Sequence, residues 1–193
     1  MRKIILASTS PRRKELLEKA GLVFEVVPCD YEEDMTLLLA PAELAKFLSR
    51  EKAHSVAGNF EDAIILSADT FVSLDGKIIG KSHTKEKAKI ILNILSGKTH
   101  SVFTGFTIID TKDGKVVSRA IETKVTFKKL SDKMIEDYIK NGNPLKYAGS
   151  YTLYDVLDKF IEKIEGDHLN IIGLPVDAVL ETLKEFNITC QNK

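Results

Sequence analysis

Hydroxyl groups and cations stand together near the N-terminus, in the sequence Ser8-Thr9-Ser10-Pro11-Arg12-Arg13-Lys14. An amphipathic helix follows, for which Ser10 is a favourable N-cap and Pro11 a favourable first residue. Three cations are misplaced at a helix N-terminus, because that end already carries partial positive charge and each cation costs roughly 0.3–1 kcal/mol. A bound anion would make the interaction of these cations favourable, because it would lie between them and the positive end of the helix. Free N–H groups, hydroxyls and guanidinium forks suit a phosphate chain, and the alternative is three solvated surface cations.

Asp69 lies within an apolar, β-branched run, Ile64-Ile65-Leu66-Ser67-Ala68-Asp69-Thr70-Phe71-Val72. Such a run is typical of a strand that is buried on both faces. A lone carboxylate is costly there unless a cation, a metal or hydrogen bonds compensate it. Asp69 is therefore a candidate general base or metal ligand in a cleft. The alternative is a structural aspartate whose hydrogen bonds are satisfied at a bend of the strand.

One loop carboxylate and two isolated lysines complete the candidate residues. Glu33 belongs to the acidic cluster 32–34, which is typical of a solvated surface unless the fold brings Glu33 near Asp69 to share a divalent ion. Lys52 lies in a predicted helix, where a lysine is usually a surface charge. Lys81 ends a predicted strand and can bind phosphate as a point charge. Together with the cationic helix N-terminus, these residues describe a site for a metal-bound polyphosphate.

The elements that must position these residues mix β–α units with hairpins. The hydrophobic pattern predicts strands over residues 4–6, 24–28 and 63–74, hairpins about Asp75-Gly76 and Asp113-Gly114, and helices over 11–20, 41–56, 85–95, 132–141, 156–161 and 176–186. It predicts a turn and a strand over residues 166–172. This order predicts a three-layer α/β/α fold with a mixed, strongly twisted sheet. Residues 1–193 are expected to form a single domain, in which the hairpin-rich segment of about 99–155 forms a second lobe beside a cleft.

The composition is that of an ordinary globular protein without excess charge. Lys and Arg together number 28, as do Asp and Glu, so the formal net charge is zero. This balance argues against a broad nucleic-acid interface, which usually needs a basic surplus. Cys29 and Cys190 fit no metal or redox spacing and indicate a reducing compartment. With neither a signal-peptide pattern nor a membrane-length apolar run, the expected location is the cytoplasm.

Several motifs occur in chain order and together resemble one known family. They are Ser8-x-Ser10-Pro11-Arg12-Arg13-x-x-Leu16-Leu17, Arg50-Glu51-Lys52-Ala53, Ala68-Asp69-Thr70-x-Val72, Gly80-Lys81, Leu95-Ser96-Gly97-x-x-His100-x-Val102-x-Thr104-Gly105, Ala148-Gly149-x-Tyr151 and Gly173-Leu174-Pro175. This set, which spans about residues 3–185, resembles the Maf family of nucleoside triphosphate pyrophosphatases. One short motif is weak, whereas this many in order are specific.

The resemblance implies an α/β fold similar to that of the inosine triphosphate pyrophosphatases, with a deep cleft between two lobes. It implies that a nucleoside triphosphate is hydrolysed to the monophosphate and pyrophosphate with a divalent metal, Mg²⁺ or Mn²⁺, and that the protein is a homodimer. The family's proton acceptor falls on Asp69. Its phosphate and metal contacts fall on Ser8, Arg12, Arg13, Glu33, Lys52 and Lys81.

The resemblance also bears on which base is accepted. The subgroup similar to dTTP/UTP pyrophosphatases carries Arg, Thr and Gln at its specificity positions, and Arg13 and Thr70 match the first two. Tyr154 replaces the Gln, and a tyrosine can stack on a base or donate one hydrogen bond but lacks a bidentate amide. We therefore expect dTTP and UTP, with 7-methyl-GTP or other modified nucleotides as the alternative. Ser82 replaces the proline that usually follows Gly-Lys and should loosen that turn.

Two other functions are compatible with a nucleotide site. A nucleotide-binding regulatory protein of cell division would need neither a base nor a metal ligand, so Asp69 and Glu33 favour the enzyme. A phosphatase that removes the γ-phosphate would release orthophosphate and a diphosphate, and an analysis of products distinguishes it.

Overall fold

The computed structural model describes residues 2–189, which form one mixed sheet with helices on both faces. Its strands are β1 (Lys3–Ala7), β2 (Glu25–Val27), β3 (Ala63–Leu74), β4 (Lys77–Ile79), β5 (Thr99–Asp110), β6 (Val116–Phe127) and β7 (Ile161–Glu165). Its helices are α1 (Pro11–Lys19), α2 (Pro41–Ala57), α3 (Lys85–Leu95), α4 (Asp132–Asn141), α5 (Leu153–Phe160), α6 (His168–Ile172) and α7 (Val176–Lys184). The predicted α/β class with a mixed sheet is confirmed.

The sheet leaves part of its long third strand open. The strand order is β2-β1-β3-β5-β6-β7, and β4 pairs with β3. β1 pairs in parallel with β2 and β3, and the other pairs are antiparallel. On this edge of β3, β1 covers only residues 63–66 and β4 covers only residues 72–74. Residues 67–71 therefore lie beyond the carboxyl end of β1, where α/β sheets usually form a crevice.

Alternation along β3 assigns its side chains to two different helical layers. Even-numbered apolar residues such as Leu66 and Val72 face the main core, which includes residues of α1 and of α3 to α7. Odd-numbered residues such as Ile65 and Phe71 face α2, which covers the other side of the sheet together with residues of the loop after β2. Asp69 and Thr70 are neighbours in sequence and therefore project to opposite faces.

Helix α2 lies against the sheet at Gly105. A Cβ atom at this position would lie 2.0 Å from the carbonyl oxygen of Ala45, so glycine is required for the approach. Gly105 is the register partner of Asp69 in the β3–β5 ladder. The Ser49 hydroxyl of α2 also contacts the hydroxyl of Thr107 on β5 at 2.9 Å. These contacts fix α2 beside the strands that carry Asp69.

One predicted element near the C-terminus is wrong, and the bounds of another differ from the prediction. Residues 168–172 form α6 rather than a strand, because the Asp167 carboxylate accepts a hydrogen bond from the Leu169 N–H and caps a helix that Gly173 ends. The predicted helix over 156–161 begins earlier, as α5, and ends before Ile161. Ile161 instead begins β7, which pairs with β6.

The hairpin of β5 and β6 continues the sheet from β3. The division into two lobes stays a prediction. No helix within residues 2–189 is long and apolar enough to cross a membrane. Cys29 is a free thiol, and the prediction for Cys190 falls outside the described residues.

Candidate active site

A cleft of about 510 Å³ opens at the uncovered edge of β3. Its walls come from the loop between β1 and α1, the loop after β2, α2, β3 and the segment 143–151. Eight of the residues predicted for the site line it: Ser8, Arg12, Arg13, Glu33, Lys52, Asp69, Thr70 and Lys81. The fold thus gathers residues that are far apart in sequence into one cavity.

The Lys52 ammonium connects the two carboxylates of the cleft. Its Nζ donates hydrogen bonds to Asp69 Oδ1 and Glu33 Oε1. The side chains of Lys52 and Asp69 are only 7% and 6% exposed, whereas that of Glu33 is 36% exposed. Asp69 points toward α2, and Lys52 on α2 supplies the cation that a buried carboxylate requires. The expectation that Lys52 is a solvated surface charge is wrong.

Glu33 and Asp69 fit a divalent cation in part. Their oxygens already converge on one positive charge, the Lys52 ammonium, and hard oxygen ligands are those that Mg²⁺ prefers. Residues 2–189 contain no group of three or more His, Cys, Asp or Glu side chains arranged to hold a metal. Mg²⁺ is commonly bound by one or two carboxylates together with substrate phosphates. These two carboxylates fit such a shared site, which phosphate oxygens would complete.

Arg13 is held by three hydrogen bonds on the opposite face of β3. Its Nε donates to the Gly173 carbonyl at 2.9 Å, and its terminal nitrogens donate to the Ser8 and Thr70 hydroxyls at 3.2 Å each. Burial lowers the pKa of Arg13, and the nearby Asp69 carboxylate opposes that shift. The guanidinium stays charged because arginine is not deprotonated in proteins. Arg13 and Thr70, matched separately to the specificity positions, are therefore in direct contact.

Arg12 has a different environment from its neighbour. Its guanidinium carbon lies 4.3 Å from the centre of the Tyr147 ring. Burial lowers the pKa of Arg12, and the nearby Tyr147 opposes that shift. Among residues 2–189, the guanidinium contacts this ring and donates no side-chain hydrogen bond. Its N–H groups therefore remain available to a ligand.

The N-terminus of α1 is arranged as an anion site would be. The Ser10 side chain caps no N–H group of the helix, and the first turn contains no acidic residue. The Ser10 N–H donates instead to the Ser8 hydroxyl at 3.2 Å. Lys14 pairs with Glu18 outside the cleft, so only two of the three predicted cations face it.

The segment 143–151 forms a wall that the sequence analysis did not assign. Asn143, Lys146, Tyr147 and Tyr151 all line the cleft. An isolated β-bridge joins Lys81 to Ala148, so this wall and Lys81 are fixed together. The Ala148-Gly149-x-Tyr151 motif marks the segment in the sequence, but nothing in its composition tells which side chains enter the cleft.

Comparisons with known proteins identify the family of this chain. Residues 3–186 match the family described as Maf-like protein. The chain belongs to the Maf family. A dTTP/UTP pyrophosphatase of Bacillus anthracis is 45% identical over 188 residues, which are 97% of each chain. A dTTP/UTP pyrophosphatase of Bacillus cereus (strain ZK / E33L) has the same identity and coverage. The structure of a nucleoside-triphosphatase, dITP/XTP pyrophosphatase, from Mycobacterium abscessus aligns with a TM-score of 0.47 at 15% identity, over 96% of this chain and 97% of that one.

In this Maf protein, Tyr154 does not lie with the other predicted substrate contacts. It is 60% exposed on α5 and lines a separate cavity of about 650 Å³. The chain turns through left-handed backbone at Gly149 and Ser150, with φ of 67° and 62°. This turn precedes Tyr151, which lines the cleft, and α5 then carries Tyr154 to the other cavity. The Maf position at which the resemblance expects a base contact is thus outside the cleft here.

Proposed function

We propose that the chain hydrolyses nucleoside triphosphates, above all dTTP and UTP, to the nucleoside monophosphate and pyrophosphate. The observation that carries this proposal is the buried Lys52–Asp69 pair at the wall of a cationic cleft. Relatives that are 45% identical and named dTTP/UTP pyrophosphatase support the choice of substrates.

The charges of the cleft suit a polyphosphate. Five cationic side chains line it, against the two carboxylates of Glu33 and Asp69: Arg12, Arg13, Lys52, Lys81 and Lys146. Of these cations, Lys52 is engaged by the carboxylates and Arg13 by protein oxygens. Arg12, Lys81 and Lys146, with the N–H groups of α1, are therefore assigned to the phosphates.

The reaction needs a proton acceptor beside the attacking water, and Asp69 is assigned that role. Lys52 holds Asp69 Oδ1, and Oδ2 has no partner among residues 2–189, so Oδ2 is assigned to the water. The water oxygen attacks the α-phosphorus, its proton passes to Asp69, and the bond from the α-phosphorus to the bridging oxygen breaks. Pyrophosphate leaves with that oxygen, its charge balanced by Arg12 and Lys81. General-base help of this kind is worth on the order of 10²–10⁴ in rate.

A divalent cation, Mg²⁺ or Mn²⁺, would be held by Glu33 and Asp69. When bound, it would neutralise phosphate charge that develops during bond cleavage. Lys52 binds one oxygen of each carboxylate and so keeps Glu33 and Asp69 close together.

Base selection is assigned to the contact between Arg13 and Thr70. Three hydrogen bonds fix Arg13, so its remaining donors have a defined direction, and such a rigid donor set can discriminate between base edges. A homodimer and a cytoplasmic location are further predictions, and light scattering of the purified protein tests the first of them.

The experiment is a turnover screen in which pyrophosphate and orthophosphate are measured separately. Purified protein with Mg²⁺ or Mn²⁺ receives each common and modified nucleoside triphosphate. The Asp69→Asn variant is compared with Asp62→Asn, which alters an exposed carboxylate paired with Arg2 away from the cleft. We expect pyrophosphate from dTTP and UTP, lost in Asp69→Asn and retained in Asp62→Asn.

Each contrary outcome identifies what is wrong. Pyrophosphate mainly from 7-methyl-GTP would keep the reaction and overturn the base assignment. Orthophosphate as the first product would show a γ-phosphatase. Tight nucleotide binding without turnover would favour a nucleotide-binding regulatory protein.

A further inference from the structure

The aromatic ring beneath Arg12 has no role in the proposed reaction. Tyr147 lines the cleft, and its ring centre lies 4.3 Å from the Arg12 guanidinium carbon. An arginine over an aromatic face is attracted by the ring quadrupole, and the attraction strengthens as water is excluded. The Arg12 side chain is half-buried in the cleft wall. The contact is therefore in the range where it can order the side chain.

The backbone is fixed directly after Tyr147, by contacts of residues 148–151. Ala148 forms its bridge with Lys81, and the Gly149 N–H donates to the Gly80 carbonyl at 3.2 Å. Further along, the Tyr151 hydroxyl is hydrogen-bonded to His100 Nε2 in the core at 2.8 Å. Because these anchors tie the segment to β4 and β5, the Tyr147 ring is a firm surface for Arg12.

Arg12 and Arg13 are positioned by different means. Arg13 is held through its own N–H donors, three of which are used on protein oxygens. The Tyr147 ring offers Arg12 no carbonyl or carboxylate acceptor, so the Arg12 donors stay free for phosphate oxygens. A long side chain that is ordered in advance loses less entropy when a ligand binds.

We propose that Tyr147 is a positioning residue, whose ring holds the Arg12 guanidinium at the phosphate-binding end of the cleft before the nucleotide arrives. This inference rests on the proposed pyrophosphatase function. The competing role for an aromatic ring in a nucleotide cleft is stacking on the base, and phosphate ligands without a base separate the two.

The test measures binding by calorimetry, with Mg²⁺, for inorganic pyrophosphate, α,β-imido-UTP and UMP. Tyr147→Leu and Tyr147→Gln remove the ring, and Tyr147→Phe restores it. Phe60→Leu is the matched control, because Phe60 contacts Lys3 in another cation–π pair at the far end of β1. Circular dichroism checks that each variant folds.

We expect both ring-removing variants to weaken pyrophosphate and α,β-imido-UTP binding by about 3–20-fold, the range of one partly desolvated cation–π contact. Tyr147→Phe restores the affinity, Phe60→Leu leaves it unchanged, and UMP is affected less than pyrophosphate. In steady-state turnover the loss appears mainly in KM. On an Arg12→Gln background, removing the ring has no further effect, because the residue that it positions is gone.

Three results would overturn the inference. Loss of UMP binding with pyrophosphate unaffected would make Tyr147 a base-stacking residue. Additive effects of the Tyr147 and Arg12 variants would show that the two act separately. Wild-type protein that binds neither pyrophosphate nor α,β-imido-UTP would remove the ligand on which the inference depends. Wild-type protein that binds both, with the expected loss in the variants, but releases no pyrophosphate would overturn the proposed function and leave the positioning role standing.

Discussion

Lys52 is the residue on which the arrangement of the cleft depends most. It is the cation for the buried Asp69 carboxylate and, at the same time, the link to Glu33 on a loop. Breaking a buried ion pair by removing one partner is expensive, because the remaining charge has neither water nor a counter-ion. Lys52 is therefore expected to contribute to the stability of the fold as well as to the chemistry of the cleft.

The Lys52→Met variant tests this double role. We expect its free energy of unfolding to fall by about 3 kcal/mol, at the lower end for a broken buried pair because Glu33 is one-third exposed. Urea denaturation measures the change, and Lys89→Met, which removes the exposed pair with Glu136, serves as the control without a measurable effect. Added Mg²⁺ should restore part of the loss by occupying the carboxylates. Equal urea midpoints for the two variants would contradict the prediction.

Ser82 tests the opposite situation, a buried hydroxyl without a partner. It is fully buried beside Lys81, and its Oγ has no hydrogen-bond partner among residues 2–189. An unsatisfied buried hydroxyl costs roughly 1–3 kcal/mol, so Ser82→Ala should raise the free energy of unfolding by about 1 kcal/mol. The control is Ser49→Ala, which removes a hydroxyl bonded to Thr107 and should lower stability by about 1 kcal/mol. If both variants lose stability in chemical denaturation, Ser82 has a partner such as a bound water.

At the scale of elements, the site depends on how closely α2 packs on the sheet. Asp69 is on β3 and Lys52 is on α2, so their contact requires the helix to approach the strands without an intervening side chain. Gly105 permits this approach, since a Cβ atom would lie 2.0 Å from the backbone of α2. Gly105 of the Thr104-Gly105 motif is thus explained by the packing of α2.

Gly105→Ala should therefore separate α2 from the sheet. We expect a loss of about 3 kcal/mol in the free energy of unfolding, the upper range for overpacking, together with loss of turnover as Lys52 moves from Asp69. Gly58→Ala is the matched control, because Gly58 ends the same helix with φ of −61° and has no atom within 4 Å of the added methyl. A Gly105→Ala protein as stable and active as Gly58→Ala would show that α2 adjusts without moving the site.

For the molecule as a whole, local signals predicted most elements. The apolar run that predicted a strand over 63–74 matches β3, and the Asp75-Gly76 turn has the left-handed φ values, 52° and 76°, of a two-residue hairpin loop. The failures, α6 and β7, have only five residues each and carry too few alternating or helical positions to show a period. Their state is set by the Asp167 cap and by pairing with β6, which are tertiary and capping effects.

A site residue could be predicted from the sequence where a charged side chain occurs in a buried strand. It could not be predicted where the path of the backbone decides whether a side chain enters the cleft. Asp69 stood out because a carboxylate in a buried strand needs a cation, but that the cation is Lys52 follows from the position of α2. The positions of Tyr147 and Tyr154 could not be predicted in this way. Tyr147 precedes the left-handed turn at Gly149 and Ser150 and lies in the cleft, whereas α5, which begins after Tyr151, carries Tyr154 to the other cavity. No spacing rule in the sequence gives this path of the backbone.

The acid limit of the folded molecule should depend on His100, which is buried against Phe127 and Tyr151. Burial lowers the pKa of His100 from 6.5 to about 4, so between these pH values the unfolded chain binds a proton that the folded chain excludes. Stability is therefore fully present above about pH 6.5 and falls as the pH drops toward 4, by up to about 3 kcal/mol. The lowered pKa of Asp110, to about 2 through its hydrogen bonds from Arg2, acts separately below pH 3.8.

Urea unfolding of wild type and His100→Gln at several pH values isolates the His100 contribution. We expect wild type to be the more stable at pH 7 and its advantage to shrink toward pH 4, because glutamine does not titrate. An advantage that is constant over this range would mean that His100 is protonated equally in the folded and unfolded chains, and that its hydrogen bond to Tyr151 survives the added charge.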